Sequence, residues 1–363
     1  MKPLRVLLDG NPLLGDRTGV GRYTSALAEE LASMSTVDVR AVAFTLRGWR
    51  ALRSAVPHGV RARGLPVPAR LLRAAWLRSP LPPIEVFAGF TDVVHATNFV
   101  LPPSLRAGSV LTIHDLAFLD APAEIPASES DLPELVRRSA KRADVVCTPT
   151  HAVAETVSER LGVPKERIKV TPLGVDPAWF VARAPSENLR RRLGLPEQYL
   201  LFVGAEGPRK GLASLVAAHA ADPELPPLVL AGPGTDTVGG AADRVIRTGY
   251  LSELDLRRVV AGAALLVLPS RDEGFGLPVL EAMACGVPVV CSDVPALREV
   301  AGGLATLVPF GDVEALTAAL SSTLDDGVSA DTLAKRRAHA SEFTWRRCAE
   351  ETVAAYRQAA GRR

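Results

Sequence analysis

The sequence is poor in cysteine, in aromatic residues and in long apolar runs, and each shortage excludes a class of protein. Its 4 cysteines among 363 residues lack metal-ligand spacing, so buried free thiols are expected rather than a zinc site. No stretch of 18 apolar residues occurs, which argues against a membrane-spanning helix, and the first residues lack a signal-peptide core. With 5% aromatics and a net charge of +2, nucleic acid is not an expected partner. A cytoplasmic globular protein is predicted.

Short apolar runs alternate with helical patterns along the whole chain, which predicts parallel sheets covered by helices. The predicted strands are Leu4–Leu8, Val37–Phe44, Asp92–Ala96, Ser109–His114, Asp144–Pro149, Ile168–Pro172, Tyr199–Val203, Leu228–Ala231, Val245–Gly249, Ala264–Pro269, Val287–Cys291 and Ala305–Val308. Two doubly wound, Rossmann-like α/β domains fit this pattern and length. Their predicted extents are 1–178 and 179–343, and ligands are expected in a cleft between the carboxyl ends of the strands.

Two carboxylates lie eight residues apart around a predicted helix start. Glu273 follows a buried strand, two glycines interrupt the chain, and Pro278 suits the first turn of a helix that contains Glu281. Backbone N–H groups near Gly276 and Leu277 would then have no helical partner, and such a helix start binds anions. A ligand with a phosphate for the helix and hydroxyls for the carboxylates fits this arrangement, and a nucleotide sugar has both.

This segment resembles the E-x7-E motif of retaining GT-B glycosyltransferases of family 4. The likeness includes the flanking Glu-Gly-Phe-Gly-Leu-Pro, which contains Phe275, and the following Glu-Ala-Met-Ala-Cys-Gly-Val-Pro-Val-Val. It implies a GT-B fold with a deep interdomain cleft, an N-terminal acceptor domain and a C-terminal donor domain. It also implies that the last helix, within 344–363, returns to the N-terminal domain. Phe275, Gly276, Leu277 and Glu281 would bind the donor, while Glu273 would contact the transferred sugar.

Two glycine-containing loops extend the resemblance. Arg209 and Lys210 lie in a Pro-Arg-Lys string immediately before a helix, where two cations can neutralise a departing diphosphate. Gly19 and Gly21 precede a helix predicted from Tyr23 to about residue 34, in a string similar to the family's N-terminal glycine loop beside the donor phosphates. The dinucleotide G-x-G-x-x-G fingerprint is incomplete because position 24 is Thr, which disfavours a hydride-transfer enzyme.

Five further residues are assigned by the resemblance. The His-Asp-Leu string is similar to the family's histidine near the transferred sugar, so His114 is placed at the sugar hydroxyls rather than as a general base. His95 and Asn98 are weaker candidates for the acceptor side. Tyr250 and Leu251 end a strand where the family's backbone holds the nucleobase.

The resemblance implies transfer of a hexose from a nucleoside diphosphate sugar, with retention of anomeric configuration and no cofactor. No Asp-x-Asp string occurs, and the two cations would replace a divalent metal. GDP-mannose is the first expectation for the donor, because the glycine loop looks most like those of mannosyl- and deoxyhexosyltransferases, and UDP-hexose is the second. The acceptor would be a glycan, a lipid-linked or glycolipid molecule, or a small molecule.

The segment 39–84 contains nine arginines and no acidic residue. One interpretation is an amphipathic surface, within 40–78, that meets anionic lipid at the inner face of the membrane or a phosphate-bearing acceptor. The other is a solvated helix with Leu72 and Trp76 in the core.

Three other functions remain compatible with the sequence. A GT-B nucleotide-sugar epimerase would release free nucleotide without any acceptor. A noncatalytic two-lobed sugar-binding protein would not need the phosphate-directed motifs. An inverting GT-B enzyme would need a general base, for which His114 is available.

Overall fold

The computed structural model describes residues 2–15, 19–45, 49–122, 125, 129–235, 239, 244–327 and 329–362. The chain divides into two compact units, which are described separately. Unit 1 comprises Met1–Gly174 with Trp345–Arg363, and unit 2 comprises Val175–Thr344. The first division falls four residues before the predicted boundary at 178, and the second falls one residue after the predicted boundary at 343.

Unit 1 contains a parallel sheet of seven strands in the order β3-β2-β1-β4-β5-β6-β7. The strands are β1 (Leu4–Asp9), β2 (Val37–Phe44), β3 (Arg61–Leu65), β4 (Val93–Ala96), β5 (Gly108–Thr112), β6 (Val145–Thr148) and β7 (Ile168–Val170). The central strands β4, β5 and β6 are buried at every residue, as expected for a sheet covered on both faces.

Strand β3 is absent from the sequence prediction. It pairs in parallel with β2, with Arg61 opposite Arg40 and Arg63 opposite Val42, and forms one edge of the sheet. An edge strand does not need an apolar run, because one of its sides carries no neighbouring strand, and charged residues there oppose aggregation. The arginines that hid the strand therefore suit its position.

Helices of unit 1 connect the strands in the right order for a doubly wound fold. They are α1 (Gly19–Ser33), α2 (Leu52–Ala55), α3 (Ala69–Trp76), α4 (Glu85–Ala88), α5 (Leu132–Arg142) and α6 (His151–Leu161). Helix α3 buries Leu72 and Trp76, and the Trp76 indole N–H donates to the Pro82 carbonyl at 3.1 Å. These two side chains lie in the core, as the second interpretation of the basic segment expects, while Leu71 on the same helix is 66% exposed.

Unit 2 contains a second parallel sheet, of six strands in the order β10-β9-β8-β11-β12-β13. Its strands are β8 (Leu200–Val203), β9 (Leu228–Ala231), β10 (Val245–Gly249), β11 (Leu265–Leu268), β12 (Val289–Ser292) and β13 (Thr306–Val308). Its helices are α7 (Glu187–Leu193), α8 (Leu212–Ala221), α9 (Glu253–Ala261), α10 (Leu277–Cys285), α11 (Pro295–Ala301), α12 (Val313–Asp325) and α13 (Ala330–Ser341). Strands β8 and β11 are neighbours, which brings the loops after them to one edge of the sheet.

The last helix, α14 (Trp345–Ala360), belongs to unit 1. It contacts α1, β5 and β6, and its Ala355, Tyr356 and Ala359 are fully buried. A Cβ atom on Gly108, the first residue of β5, would lie 2.7 Å from the backbone of Ala359. Only glycine therefore lets the helix approach the sheet this closely.

All four cysteines are free thiols, as the composition indicated, and they are Cys147, Cys285, Cys291 and Cys348. Burial raises the pKa of the first three to about 12. Within the residues that the structure describes, no helix is long and apolar enough to cross a membrane.

Candidate functional site

In unit 2, the loops that follow β8 and β11 are in direct contact. The first carries a short 3-10 helix, Pro208–Lys210, which ends at Gly211 with φ +65°. A Cβ atom on Gly211 would lie 2.1 Å from the Pro269 carbonyl oxygen, so a side chain there would force the loops apart. The backbone N–H of Arg271 donates to the Arg209 carbonyl at 2.7 Å and joins the two loops. Two predicted groups, separated by 63 residues, are thereby held together.

At this junction, Lys210 forms an ion pair with Glu273. The Lys210 Nζ lies 2.5 Å from Glu273 Oε1, and the Ser270 hydroxyl donates to the same oxygen at 2.7 Å. The Lys210 and Glu273 side chains are only 15% and 10% exposed. No described residue forms a hydrogen bond with Glu273 Oε2, so this oxygen is free to accept one from a ligand.

The charges around Glu273 determine its protonation state. Burial acts to raise the pKa of the carboxyl, but the positive charges of Lys210 and Arg209 outweigh it and lower the pKa below its ordinary value. The Arg209 guanidinium is anchored beside this loop by donating to the Asp272 carbonyl at 3.3 Å. Glu273 is therefore an anion at neutral pH and a hydrogen-bond acceptor, not a proton donor.

Helix α10 begins four residues after Glu273. Gly276 precedes it with φ +91°, and a Cβ atom there would lie 2.5 Å from the Leu297 side chain. Pro278 lies in the first turn, as predicted. Among the described residues, none accepts a hydrogen bond from the backbone N–H of Gly276 or Leu277. The helix start thus provides unpaired donors and the positive end of a helix dipole beside Glu273.

Two other predicted donor residues flank this helix start. Phe275 is 5% exposed, and its ring centroid lies 5.9 Å from that of Phe343 in an edge-to-face contact. Glu281 lies in the second turn of α10 and is 1% exposed. Both side chains are therefore buried, and their predicted contacts with the donor stay predictions.

The end of β10 lies at the same edge of the sheet. Gly249 has φ +65°, and its carbonyl accepts from the Gly232 N–H at 2.9 Å, which ties the ends of β9 and β10 together. Tyr250, the next residue, is 51% exposed, and Leu251 is partly exposed. These two residues are available for a base contact, and that role stays a prediction.

In unit 1, His114 follows the end of β5 and is 8% exposed. Its Nε2 lies 2.9 Å from the Thr97 carbonyl, which only accepts hydrogen bonds, so Nε2 carries a proton. Burial lowers the pKa of the imidazole, and the ring packs edge-to-face on Tyr23 at 4.8 Å. His114 is therefore a neutral ring whose Nδ1 is an acceptor, and its contact with sugar hydroxyls stays a prediction.

The prediction that His95 lines an acceptor site is wrong. His95 is fully buried, with Nδ1 2.7 Å from the Tyr356 hydroxyl and Nε2 2.7 Å from the Thr112 hydroxyl. Thr112 in turn lies 3.0 Å from the Tyr23 hydroxyl, which completes a buried polar network. Burial lowers the pKa of His95 to about 3, and its role is to join α14 to the sheet.

The predicted glycine loop also needs correction. Helix α1 begins at Gly19, not at Tyr23, so Gly19 and Gly21 lie in its first turn rather than in a preceding loop. Residues 16–18 of the same string lie outside the described residues, as do residues 46–48 of the basic segment. Glycine is a poor helix former, which is why its presence suggested a loop. The other predicted acceptor-side residue, Asn98, is partly buried after β4, and among the described residues its side-chain oxygen has no hydrogen-bond partner.

Comparison with known proteins gives the family. The model described as "Glycosyl transferase 4-like domain" matches residues 18–174, and that described as "Glycosyl transferases group 1" matches residues 197–326. The MMP alpha-(1->4)-mannosyltransferase of Mycolicibacterium hassiacum is 31% identical over 76% of this chain and 72% of that protein. The chain belongs to the group 1 glycosyltransferases.

Two other relatives match this glycosyltransferase over nearly its whole length. The O-antigen chain mannosyltransferase B of Escherichia coli is 29% identical over 98% of this chain and 100% of that protein. The D-inositol 3-phosphate glycosyltransferase of Acidothermus cellulolyticus is 29% identical over 97% and 88%. The enzyme thus moves a sugar to an acceptor.

Solved structures show that this glycosyltransferase has the GT-B fold, with two parallel-sheet α/β domains. Sucrose-phosphate synthase of Thermosynechococcus elongatus has a TM-score of 0.73 at 23% identity, covering 99% of both chains. Anabaena HepE in complex with UDP-glucose has a TM-score of 0.70 at 20% identity, covering 99% of this chain and 98% of the other. The predicted fold class is confirmed.

The sequence did not point to Ser270, whose hydroxyl orients the Glu273 carboxylate. Its signal was its position, directly after a buried strand and three residues before the predicted carboxylate. Among the described residues, no group of three or more His, Cys, Asp or Glu side chains is arranged to hold a metal ion.

Proposed function

We propose that this glycosyltransferase transfers a hexose from a nucleoside diphosphate sugar with retention of configuration and without a metal ion. The observation that carries the proposal is the Lys210–Glu273 pair beside the start of α10. It places one cation, one carboxylate oxygen and unpaired N–H groups at one point of unit 2. A sugar diphosphate has complementary groups, namely phosphate oxygens next to sugar hydroxyls.

The diphosphate contacts follow from charge. Arg209, Lys210 and the N–H groups of Gly276 and Leu277 would stabilise the negative charge that grows on the leaving diphosphate as the bond to the sugar lengthens. In enzymes with an Asp-x-Asp string, a divalent cation stabilises this negative charge instead. The donor therefore needs no metal ion to neutralise its phosphates.

The sugar contacts follow from the free acceptors. Glu273 Oε2 would accept a hydrogen bond from a sugar hydroxyl, while Oε1 is held by Lys210 and Ser270. Neutral His114 would bind sugar hydroxyls. Glu281 would bind the ribose, and Tyr250 with Leu251 would lie at the base.

Retention is consistent with a front-face reaction. The bond between the anomeric carbon and the diphosphate oxygen breaks, the acceptor oxygen bonds to the same face of that carbon, and a diphosphate oxygen takes the acceptor proton. No protein nucleophile or base is required by this mechanism. NMR of the product gives its anomeric configuration, and an inverted product would contradict this mechanism.

Names of relatives guide the choice of donor and acceptor. Two relatives are mannosyltransferases, which supports GDP-mannose as the first donor, and HepE holds UDP-glucose, which supports a UDP-hexose as the second. An O-antigen relative supports a glycan or lipid-linked glycan as acceptor, whereas the D-inositol 3-phosphate relative supports a small phosphorylated molecule.

Donor binding is expected to raise the melting temperature of the enzyme, since a ligand that binds only the folded state stabilises it. A panel of GDP-, UDP- and dTDP-sugars is compared by thermal shift, with EDTA in every well. At a donor concentration of about 100 times Kd, the free energy of unfolding rises by about 2.7 kcal/mol. We expect one nucleotide class to act and GDP-mannose to rank first. No shift with any donor would refute the proposed function.

We further propose that the enzyme works in the cytoplasm and contacts the inner face of the membrane through the basic segment of unit 1. Arg70 and Arg78 are exposed there, and Leu71 and Leu81 are 66% and 55% exposed. Cations and exposed apolar side chains together favour anionic lipid surfaces. Co-sedimentation with vesicles is expected to rise with the fraction of anionic lipid and to fall with salt. Equal binding to neutral vesicles would contradict the electrostatic part.

A further inference from the structure

Four buried polar side chains form a continuous network through unit 1, from its last helix to its first. They are Tyr356 on α14, His95 on β4, Thr112 on β5 and Tyr23 on α1. The two ring nitrogens of His95 lie 2.7 Å from the Tyr356 and Thr112 hydroxyls, and the Thr112 hydroxyl lies 3.0 Å from that of Tyr23. All four residues are at most 1% exposed. The network therefore binds no ligand itself.

Thr112 is the junction of this buried polar network. Its single hydroxyl contacts both the His95 ring and the Tyr23 hydroxyl. A threonine hydroxyl has one proton and two lone pairs, so it can make both hydrogen bonds, whereas a valine of nearly the same shape can make neither. Buried polar groups without a partner are destabilising, so the network favours one arrangement of the two rings that it joins.

Tyr23 connects the network to His114. The Tyr23 and His114 rings pack edge-to-face, with centroids 4.8 Å apart and an angle of 80° between their planes. The hydrogen bond from His114 Nε2 to the Thr97 carbonyl fixes one edge of the imidazole, and the Tyr23 contact fixes its plane. Among the described residues, none donates a hydrogen bond to His114 Nδ1. The acceptor on the other edge of the ring is thus held in one direction.

The network positions rings and carries no charge. Burial lowers the pKa of His95 to about 3 and also lowers the pKa of His114. Burial raises the pKa of the Tyr23 and Tyr356 hydroxyls. All four groups are therefore neutral at neutral pH, and their contribution to the enzyme is geometric.

Helix α14 contacts both ends of the network. Its first residue, Trp345, lies with its ring centroid 6.4 Å from that of Tyr23. Its Tyr356, three helical turns further along, makes the hydrogen bond to His95. The helix also packs against α1 and β5, which carry Tyr23 and Thr112. The end of the chain therefore holds the ring that contacts His114.

We propose that Thr112 and Tyr23 are positioning residues for His114, and that α14 holds them in place through His95 and Tyr356. They act by keeping Nδ1 of His114 directed at the hydroxyl that it binds. The inference rests on the proposed function, which gives His114 its contact with the sugar. It adds that the accuracy of this contact depends on the last helix of the chain.

A double-mutant cycle on kcat/KM tests the proposal. Thr112→Val should lower kcat/KM by about 10- to 100-fold, as expected when a contact group is misplaced, but by no more than His114→Ala does. In the His114→Ala background, the same substitution should change kcat/KM by less than about 2-fold, because the group that it displaces is gone. Thr352→Val is the matched control and should be fully active, since this buried hydroxyl donates to the Cys348 carbonyl within α14.

NMR of the histidine-labelled enzyme without substrate gives a readout that is independent of activity. The His114 signal is the one that disappears from the spectrum of His114→Ala. It should move in Thr112→Val and, to a smaller extent, in Tyr356→Phe. It should stay in place in Tyr199→Phe, which removes a buried hydroxyl that donates to the Val259 carbonyl in unit 2.

Two results would overturn the proposal. One is a loss of kcat/KM from Thr112→Val that is the same with and without His114, and the other is a His114 signal that does not move in Thr112→Val. If Thr112→Val does not fold, Tyr356→Phe takes its place in both experiments.

Failure of the proposed function would look different. The donor-induced thermal shift should be retained in Thr112→Val, and its absence from the wild type would count against donor binding rather than against the network. A fully active His114→Ala would refute the sugar contact on which the inference rests, even if the His114 signal moved as expected.

Discussion

Glu273→Ala is expected to lower kcat by about 10²- to 10³-fold, the usual cost of removing one preorganised polar contact from a transition state. The variant loses the carboxylate oxygen that is free for a sugar hydroxyl, and it leaves Lys210 without its partner. Steady-state kinetics with the donor identified by thermal shift measures the effect. The fold should persist because the apolar core is unchanged, although the melting temperature should fall, since Lys210 is left without its partner.

Two comparisons make this result specific. Glu273→Gln keeps the shape and an amide oxygen but removes the charge, so its activity should lie between those of the wild type and Glu273→Ala. Glu197→Ala removes an exposed glutamate before β8 and should be fully active. A Glu273→Ala enzyme with near-normal turnover would show that the site is assigned wrongly.

Lys210→Met is expected to have two effects of similar importance. It removes a cation from the leaving diphosphate, which should lower kcat/KM by about 10²- to 10³-fold. It also leaves the Glu273 carboxylate buried without a counterion, and breaking a buried pair in this way costs about 3–5 kcal/mol. The melting temperature should therefore fall together with the activity, as measured by calorimetry and kinetics.

The double variant Lys210→Met/Glu273→Gln separates these effects. With neither charge present, most of the lost stability should return, whereas activity should stay low. Lys335→Met breaks an exposed ion pair with Asp331 on α13 and should change stability by less than about 0.5 kcal/mol. If the double variant were as unstable as Lys210→Met, the ion pair would not be the cause of the lost stability.

Strands with an apolar run were predictable, and the one without such a run was not. Buried parallel strands such as β5 and β11 need apolar residues on both faces, so their sequence reveals them. Strand β3 lies at an edge, where Arg61 and Arg63 are compatible with pairing to β2. The start of α1 was misplaced for a related reason, since Gly19 and Gly21 are poor helix formers that the surrounding structure nevertheless holds in a helix.

The candidate site was predictable where strand ends decide it. Lys210 and Glu273 follow neighbouring parallel strands, so their loops had to meet at one edge of the sheet. The pairing of Lys210 with one carboxylate oxygen depends on the packing of Gly211 against Pro269, which no motif reveals. His95 shows the limit most clearly, because its burial depends on Tyr356, 261 residues further along the chain.

The return of α14 to unit 1 determines the order in which the two units can be completed during synthesis. Unit 2 is one continuous stretch, Val175–Thr344, and all of it leaves the ribosome before α14 does. Until α14 is made, His95 lacks the Tyr356 hydroxyl, and Gly108 lies bare where Ala359 will pack. Domains generally fold as units, so unit 2 can mature first, while unit 1, which begins the chain, is the last to close its core.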